Sequence, residues 1–497
     1  MITFSVTKNH QPFFNLAPSW SWLCDQNNTP CHGKIKFDED KIFCQTRQKS
    51  ISINLPWEIK NFGQVMVQSS LQHQGEKISL EQSLTKGRIR QIQNEINKCN
   101  QEKINLDHQL IKDFSNLQQQ TNNFSIKTNV DRLLFSLFTF GEQITLNRAA
   151  TKIKRKQSQQ LFNNFKLGCQ CYAPLRFGKK YQDHFKTAFN YATAPLFLFK
   201  IYPEKNREDW SFSDQAISWL KKEQIECDGH PLVWLHSYNL PNWMKTISFP
   251  SLKKFLRSHI KKVIARYGDH IKTWSIINEF PDGDANGFNL TVNQLLDLAK
   301  DVSQQVKALQ PKSFCWLNFS EPYGANSYNH NQPSIPPELF ISKAINKGVK
   351  FDAIGIQFYF GISGLFTCRD LLTISDTVDK FEQFKKPLRI TEVSFPSQFM
   401  VDNSCFWKGQ HPASAGFWHQ SWSEITQAKF TKLIYTVFMS KELVDGITWF
   451  DFTDRGQNQD IAERFIPHGG LLRKDLSPKP AFQQIVKLKQ QLINRNS

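Results

Sequence analysis

Three side chains set the chemistry open to this chain. Asn278 and Glu279 close the apolar run IKTWSIINEF (271–280), and Glu392 stands far downstream in a second apolar run, PLRITEVSF (387–395). A buried strand has no packing reason to end on a carboxylate, because an uncompensated charge is costly to desolvate. One glutamate at a strand end serves equally well in a loop salt bridge. Two of them, one preceded by an asparagine, suit paired carboxylate chemistry. Retaining glycoside hydrolysis needs an acid to protonate the leaving oxygen and a carboxylate to attack the sugar, about 5–5.5 Å apart. The acid must be held protonated and the nucleophile ionised, a difference their surroundings impose. Asn278 would then sit beside the acid as a donor to the sugar's 2-hydroxyl.

The two glutamates must be brought together by what surrounds them. From 168 onward, strand-like and helix-like patterns alternate. The strand candidates are GCQCYAP, FNYAT, CDGHPLVW, IKTWSIINE, FCWLNFS, FDAIGIQFY, LRITEVSF and GITWFDFTD. Helical periodicity falls between them in SDQAISWLKKEQ, SLKKFLRSHIKKVIARYG, NQLLDLAKDVSQQVKAL and EITQAKFTKLIYTVFMSK, with a last helix from about Pro480. Eight strands, each followed by a helix, predict an α/β fold of the (β/α)8 TIM-barrel type, in which chemistry sits where strands end and loops begin. Glu279 is expected to end the fourth strand and Glu392 the seventh, so both face one mouth.

Upstream of the barrel the pattern changes twice. KIKF and KIFCQ alternate around Asp38-Glu39-Asp40 as a hairpin, and SISINLPW alternates likewise. Leu80, Leu84, Ile89, Ile92 and Ile96, then Leu106, Leu110, Phe114 and Leu117, then Val130, Leu134, Leu137 and Phe138 recur at helical spacing. The expected division is a small β-rich region over 1–75, a helical accessory region over 76–165 and the barrel over 166–497. The run Lys152, Lys154, Arg155, Lys156 reads either as a phosphate-binding patch or as a helix C-terminus, where cations complement the helix dipole.

At this point the chain resembles a known family. GHPLVW, TWSIINE, DAIGIQ, LRITEVS and the closing GITWFDFTD…GGLLRKDLSPKPAF are similar, in order and spacing, to the glycoside hydrolase family 10 xylanases, over roughly 168 to 490. The resemblance implies double displacement with net retention and β-1,4-xylan as the usual substrate. By motif it implies Glu279 as acid/base, Glu392 as nucleophile and Asn278 as the 2-hydroxyl partner, with Lys200, His230, Trp234 and Gln357 lining the −1 and −2 sugar subsites. Taken singly, each has a plainer role: Trp234 in the core, His230 as a satisfied core histidine, Lys200 snorkelling from LFLFK, Gln357 capping a strand.

The departures from the family pattern fall on the sugar-reading positions. Leu196 and Phe197 stand where the family has a Glu-Asn pair, Tyr359 replaces a histidine that contacts the nucleophile, and Phe450 takes the place of a tryptophan. Two extra residues follow Trp234 before Leu240-Pro241. The long seventh loop, 397–423, carries Phe406, Trp407, His411, Trp418, His419 and Trp422, which suit either a sugar-stacking wall or a small core on the barrel rim.

Bulk properties narrow the alternatives. An apolar content of 40% with 13% aromatics over 497 residues is that of a well-cored chain with more than one unit. No run of 18 apolar residues exists, so no membrane-spanning segment is expected, and no secretory signal is seen at the N-terminus, which makes cytoplasmic placement, or export by a non-classical route, the expectation. The ten cysteines include no C-x-x-C pair and read as free thiols. No metal and no cofactor is called for. The net charge of +18 suits an anionic partner. The reading is a retaining glycosidase acting on a β-linked oligo- or polysaccharide, with no nucleic-acid partner expected. The alternatives are a non-catalytic glycan-binding protein on the same barrel and a basic protein docking nucleic acid or membrane through its helical region.

Overall fold

The computed structural model describes residues 1–6, 20–38, 40–125, 127–325, 327, 334–362, 366–399, 415–454 and 468–493. The chain forms two compact units, one of residues 1–160, 360–380 and 395–442, the other of residues 161–359, 381–394 and 443–497.

The second unit holds the barrel. Its strands are Lys166–Gln170, Tyr191–Pro195, Glu226–His230, Thr273–Asn278, Phe314–Phe319, Ala353–Tyr359, Leu388–Ser394 and Val444–Trp449, and they close in that order into one ring. Every neighbouring pair is parallel, including the first with the eighth through Lys166↔Gly446 and Thr448 opposite Gly168. The eight segments picked out by composition are these eight strands. Both faces of such strands are covered, so they read as continuous apolar runs; Ala353–Tyr359 and Leu388–Ser394 are buried from end to end.

Side chains fill the ring. Arg389 of the seventh strand lies over the rings of Tyr191, from the second, and Trp316, from the fifth. Those strands are not neighbours, so the contacts cross the lumen. The guanidinium is held by two bonds to Asp445, at 2.6 and 2.9 Å, the pairing that a buried cation requires.

The connecting helices carry their own start signals. Val292–Leu309 opens with a capping box between Thr291 and Gln294, and Phe249–Tyr267 with Ser248 accepting from Ser251 N–H and a proline in its first turn. Gly178–Ala188, Leu198–Ile201, Pro337–Lys347 and Leu371–Glu382 are helical as well, although their sequences show no long periodic stripe.

The first unit contains two sheets and a helical layer. One sheet orders Lys34–Asp38, Lys41–Gln45, Ile2–Ser5 and Lys77–Ser79; the expected hairpin is its first pair, with Lys34 opposite Gln45. The other runs Phe417–Trp418, Gly63–Gln68, Ser50–Ile59, Trp22–Cys24, Pro30–Cys31, with Gln72–His73 also on Ser50–Ile59. Helices Leu80–Gln101, His108–Asn122 and Val130–Ser158 meet in an apolar cluster that includes Ile92, Phe114, Leu137 and Phe140, and Leu372 joins it. Thus residues 360–380 and 395–442, on the barrel side of the boundary read at 166, pack with the N-terminal sheets and helices.

A buried ion network fixes this unit. Arg148 donates to Glu95, Glu102 and Asp379, and Lys98 and the fully enclosed Lys441 also reach Asp379, at 2.7 and 2.5 Å. The basic run at 152–156 is the helix end: Lys152 bonds Glu102, Arg155 donates to the carbonyls of Glu102 and Lys103, and buried Lys156 donates to the Lys441 carbonyl. The nine cysteines among the described residues are free thiols. No helix of the described residues is long and apolar enough to cross a membrane.

Candidate active site

Fourth, sixth and seventh strands deliver the reactive groups, all within the barrel unit. Glu279 is the first residue after the fourth strand, and its φ of +59° turns the chain out of the ring. A non-glycine residue pays roughly 1–2 kcal/mol for that conformation, which is sustained here by its N–H donating to the Asn318 carbonyl at 2.9 Å. Glu392 differs from expectation in one respect. It lies inside the seventh strand, two residues before its end. The register slips there on both sides, between Ile356 and Gln357 of the sixth strand and between Ile390 and Val393 against the eighth. Such irregularities re-aim a side chain without ending the strand.

One amide joins the two carboxylates. Gln357 Nε2 lies 2.9 Å from Glu279 Oε1, 3.0 Å from Glu392 Oε1 and 3.3 Å from Asn278 Oδ1. Two bonds from a single nitrogen keep the carboxylate oxygens within about 6 Å of each other, which is the scale of a retaining pair. Trp234 Nε1 donates to Glu279 Oε2 at 2.6 Å. Glu279 keeps an accessible edge, yet burial, with the neighbouring charges of Glu392 and Asp282, pushes its pKa up from 4.5 to about 8. At neutral pH it is therefore a protonated acid.

Glu392 is set among donors. Its Oε1 accepts from Gln357 and, at 3.4 Å, from Asn318 Nδ2, and lies 3.3 Å from His230 Nε2; its Oε2 accepts from the Tyr359 hydroxyl. Those contacts fix where its two oxygens stand. Asn278 Oδ1 accepts from Asn318 Nδ2 at 2.7 Å as well as from Gln357, an arrangement that assigns its oxygen inward and leaves its NH2 group as the donor.

The remaining expected residues are placed as follows. Trp234 is half-buried and belongs to the site through its indole N–H. Phe450 packs edge-on against Tyr359, at 5.6 Å, and against Tyr172, at 6.3 Å. Lys200 sits in the short helix Leu198–Ile201 with its ammonium over the rings of Phe199 and Phe212, at 5.4 and 5.3 Å, on the flank formed by Leu196 and Phe197. Of the seventh-loop aromatics, Phe406, Trp407 and His411 lie outside the described residues. Trp418, His419 and Trp422 form a small core in the other unit: Trp418 and His419 both reach Glu142, at 2.8 and 2.7 Å, and Trp422 stacks on Phe395.

Two residues of the site were not singled out from sequence. Asn318 ties Asn278 to Glu392 and is itself oriented by Thr391 Oγ1, 2.5 Å away. It is the polar residue near the end of the apolar run FCWLNFS, the same signature that marks Asn278. Tyr172 follows the first strand, and burial together with the charges of Glu392 and Asp451 keeps its phenol protonated. Below the site, Asp228 accepts from Thr193 at 3.0 Å, and burial pushes its pKa up to about 6.

Comparison with known proteins gives the chain a family and its barrel solved counterparts. The family described as "Glycosyl hydrolase family 10" matches residues 157–488. The chain is 24% identical over 330 residues to endo-1,4-beta-xylanase A of Cellvibrio japonicus, a match covering 61% of this chain and 51% of that one. It is 23% identical over 375 residues to endo-1,4-beta-xylanase B of Thermotoga neapolitana, covering 73% and 96%. In fold it is similar to the xylanase 10B structure from Thermotoga maritima, with a TM-score of 0.50 at 18% identity over 68% of this chain and 99% of that one. A Paenibacillus barcinonensis xylanase aligns with a TM-score of 0.51 at 17% identity, over 66% and 97%.

Proposed function

This chain belongs to glycosyl hydrolase family 10, and from that premise we propose that it hydrolyses β-linked glycans by double displacement, with Glu279 as acid/base and Glu392 as nucleophile. The observation that carries the reading is the single Gln357 amide shared by the two carboxylates.

In the first step, Glu392 attacks the anomeric carbon as Glu279 gives its proton to the departing oxygen. Glu279 is equipped for this by a pKa near 8. Formation of the glycosyl ester removes the negative charge of Glu392, the second-largest cause of that elevation. The pKa of Glu279 therefore falls, and the same group accepts a proton from the water that cleaves the ester. Asn278, held by Asn318 and Gln357, offers its amide N–H groups to the 2-hydroxyl. His230 and Tyr359 hold Glu392 in line.

Substrate choice is set on the other flank. Leu196 and Phe197 are buried, and Phe197, Tyr172, Phe450 and Tyr359 follow one another at centroid distances of 5.5, 6.3 and 5.6 Å. Sugar hydroxyls set against that wall would lose water without gaining partners, at about 1–3 kcal/mol each. The proposed substrate is accordingly a β-linked oligo- or polysaccharide whose −2 group is less polar than xylose, or one that ends at −1.

The test is hydrolysis of a panel of aryl β-glycosides and polysaccharides by the wild type and by Glu279→Ala. Glu279→Ala should cripple poor leaving groups, spare activated aryl glycosides and be rescued by azide as a β-glycosyl azide. Equal loss on both substrate types without rescue overturns the acid/base role. An aryl xylobioside cleaved best, with a strong gain from the second xylose, overturns the account of Leu196 and Phe197.

A further inference from the structure

The loop after the third strand holds rings that the cleavage steps above do not use. Trp234, whose indole bonds Glu279, is followed at every second position by His236 and Tyr238. Their centroids are separated by 5.2 Å from Trp234 to His236 and 4.8 Å from His236 to Tyr238, the latter pair within 15° of parallel. Tyr238 is 43% exposed, so one face of its ring is covered by His236 while the side chain remains open to solvent.

The loop is built to hold this ladder. Buried Asn239 accepts from the Leu198 N–H at 3.0 Å and donates to the Trp234 carbonyl at 2.8 Å. The N–H groups of Asn239 and Leu240 both donate to the His236 carbonyl. Tyr238 N–H donates to His236 Nδ1 at 3.2 Å, which orients the imidazole. Gly287 N–H bonds the Leu235 carbonyl, and a Cβ at Gly287 would stand 2.7 Å from that oxygen, so only glycine permits the approach. Burial also pushes the His236 pKa down to about 4, so the middle ring is neutral at physiological pH.

We propose that Trp234, His236 and Tyr238 form a stacking ladder that carries the glycan away from the cleavage point, with His236 and Tyr238 supporting a further sugar ring. The occupant rests on the glycan-hydrolase reading above. Neutral aromatic faces suit the C–H face of a pyranose, and the ladder is continuous with the acid through the Trp234–Glu279 bond.

The experiment uses the full chain with nitrophenyl β-glycosides of one, two and three sugars, for the wild type, Tyr238→Ala and Tyr238→Trp. The gain in kcat/KM from the shortest to the longest substrate should fall about three- to tenfold in Tyr238→Ala, the effect of losing one stacked ring. Tyr238→Trp should retain the gain. An unchanged gain in Tyr238→Ala, or the same proportional loss on every length, overturns the ladder. Should the wild type cleave none of these, the hydrolase reading fails separately. The ladder is then read by calorimetric affinity for β-1,4-linked xylo- and gluco-oligosaccharides, where Tyr238→Ala weakens binding three- to tenfold if the proposal holds and leaves it unchanged if it does not.

Discussion

The exchange of roles assigned to Glu279 depends on a charge that a single substitution removes. In Glu392→Gln the neighbouring carboxylate becomes a neutral amide of the same size. Two unit charges about 6 Å apart at an effective dielectric of about 20 interact by roughly 2.8 kcal/mol, which at about 1.36 kcal/mol per unit is some two pKa units. Burial, the largest cause of the elevation, and the charge of Asp282 remain. The Glu279 pKa should accordingly fall from about 8 in the wild type toward roughly 6 in Glu392→Gln, still above an unperturbed carboxylate. Carbon-13 NMR of protein carrying labelled glutamate reads that titration directly, with Glu279→Gln identifying the resonance. Trapping Glu392 as a 2-deoxy-2-fluoroglycosyl ester should shift it in the same direction by a similar amount. A Glu279 resonance that titrates at the same pH in wild type and Glu392→Gln refutes the electrostatic coupling, and with it the switch from acid to base.

Other outcomes follow from the same contacts. Tyr359→Phe deletes the phenolic hydrogen bond to Glu392, a loss of about 1–3 kcal/mol, so kcat/KM should fall roughly 5- to 150-fold with little change in melting temperature. Gly355→Ala would set a methyl 2.6 Å from Asn318 Oδ1 and 2.8 Å from Thr391 Cγ2, and should cost about 1–3 kcal/mol in denaturant titrations while disturbing the Asn318 link to Asn278 and Glu392. Because the folded pKa of Glu279 is raised, the folded state holds a proton that the unfolded chain releases between about pH 4.5 and 8, and that contribution to stability is lost as pH rises through this window. Against Glu279→Gln, the wild type should lose stability over that interval by a few kcal/mol at most, since the exposed edge of Glu279 screens part of the effect. In the other unit, Asp379→Ala strands the buried Lys441 and should cost about 3–5 kcal/mol, measured by urea unfolding.

Much of the barrel was legible because its strands are covered on both faces and so appear as apolar runs, each broken by loop residues. The pair Glu279 and Glu392 stood out for the same reason, as charges where packing has no use for them. Asn318 carried that signature too, but an amide costs less to bury than a charge and stood out less. The destination of Trp418 and His419 was not legible: their partner Glu142 is more than 270 positions away, and a strand as short as Phe417–Trp418 has no pattern of its own. The helix after the sixth strand likewise gives no local sign that Leu372 packs among Ile92, Phe114 and Leu137. Lys200 was read as a subsite residue from a motif match alone, and that match gave no sign of the rings of Phe199 and Phe212 over which its ammonium lies.

The central claim is that Glu392 becomes covalently glycosylated while Glu279 serves as acid and then base. Its most direct test is to incubate the protein with a panel of activated 2-deoxy-2-fluoro-β-glycosides, digest it and map the label by mass spectrometry. The account predicts a stoichiometric adduct on the peptide containing Glu392, absent in Glu392→Gln. A label on any other residue, or turnover of an aryl β-glycoside whose first-formed sugar has the inverted α configuration, would contradict it.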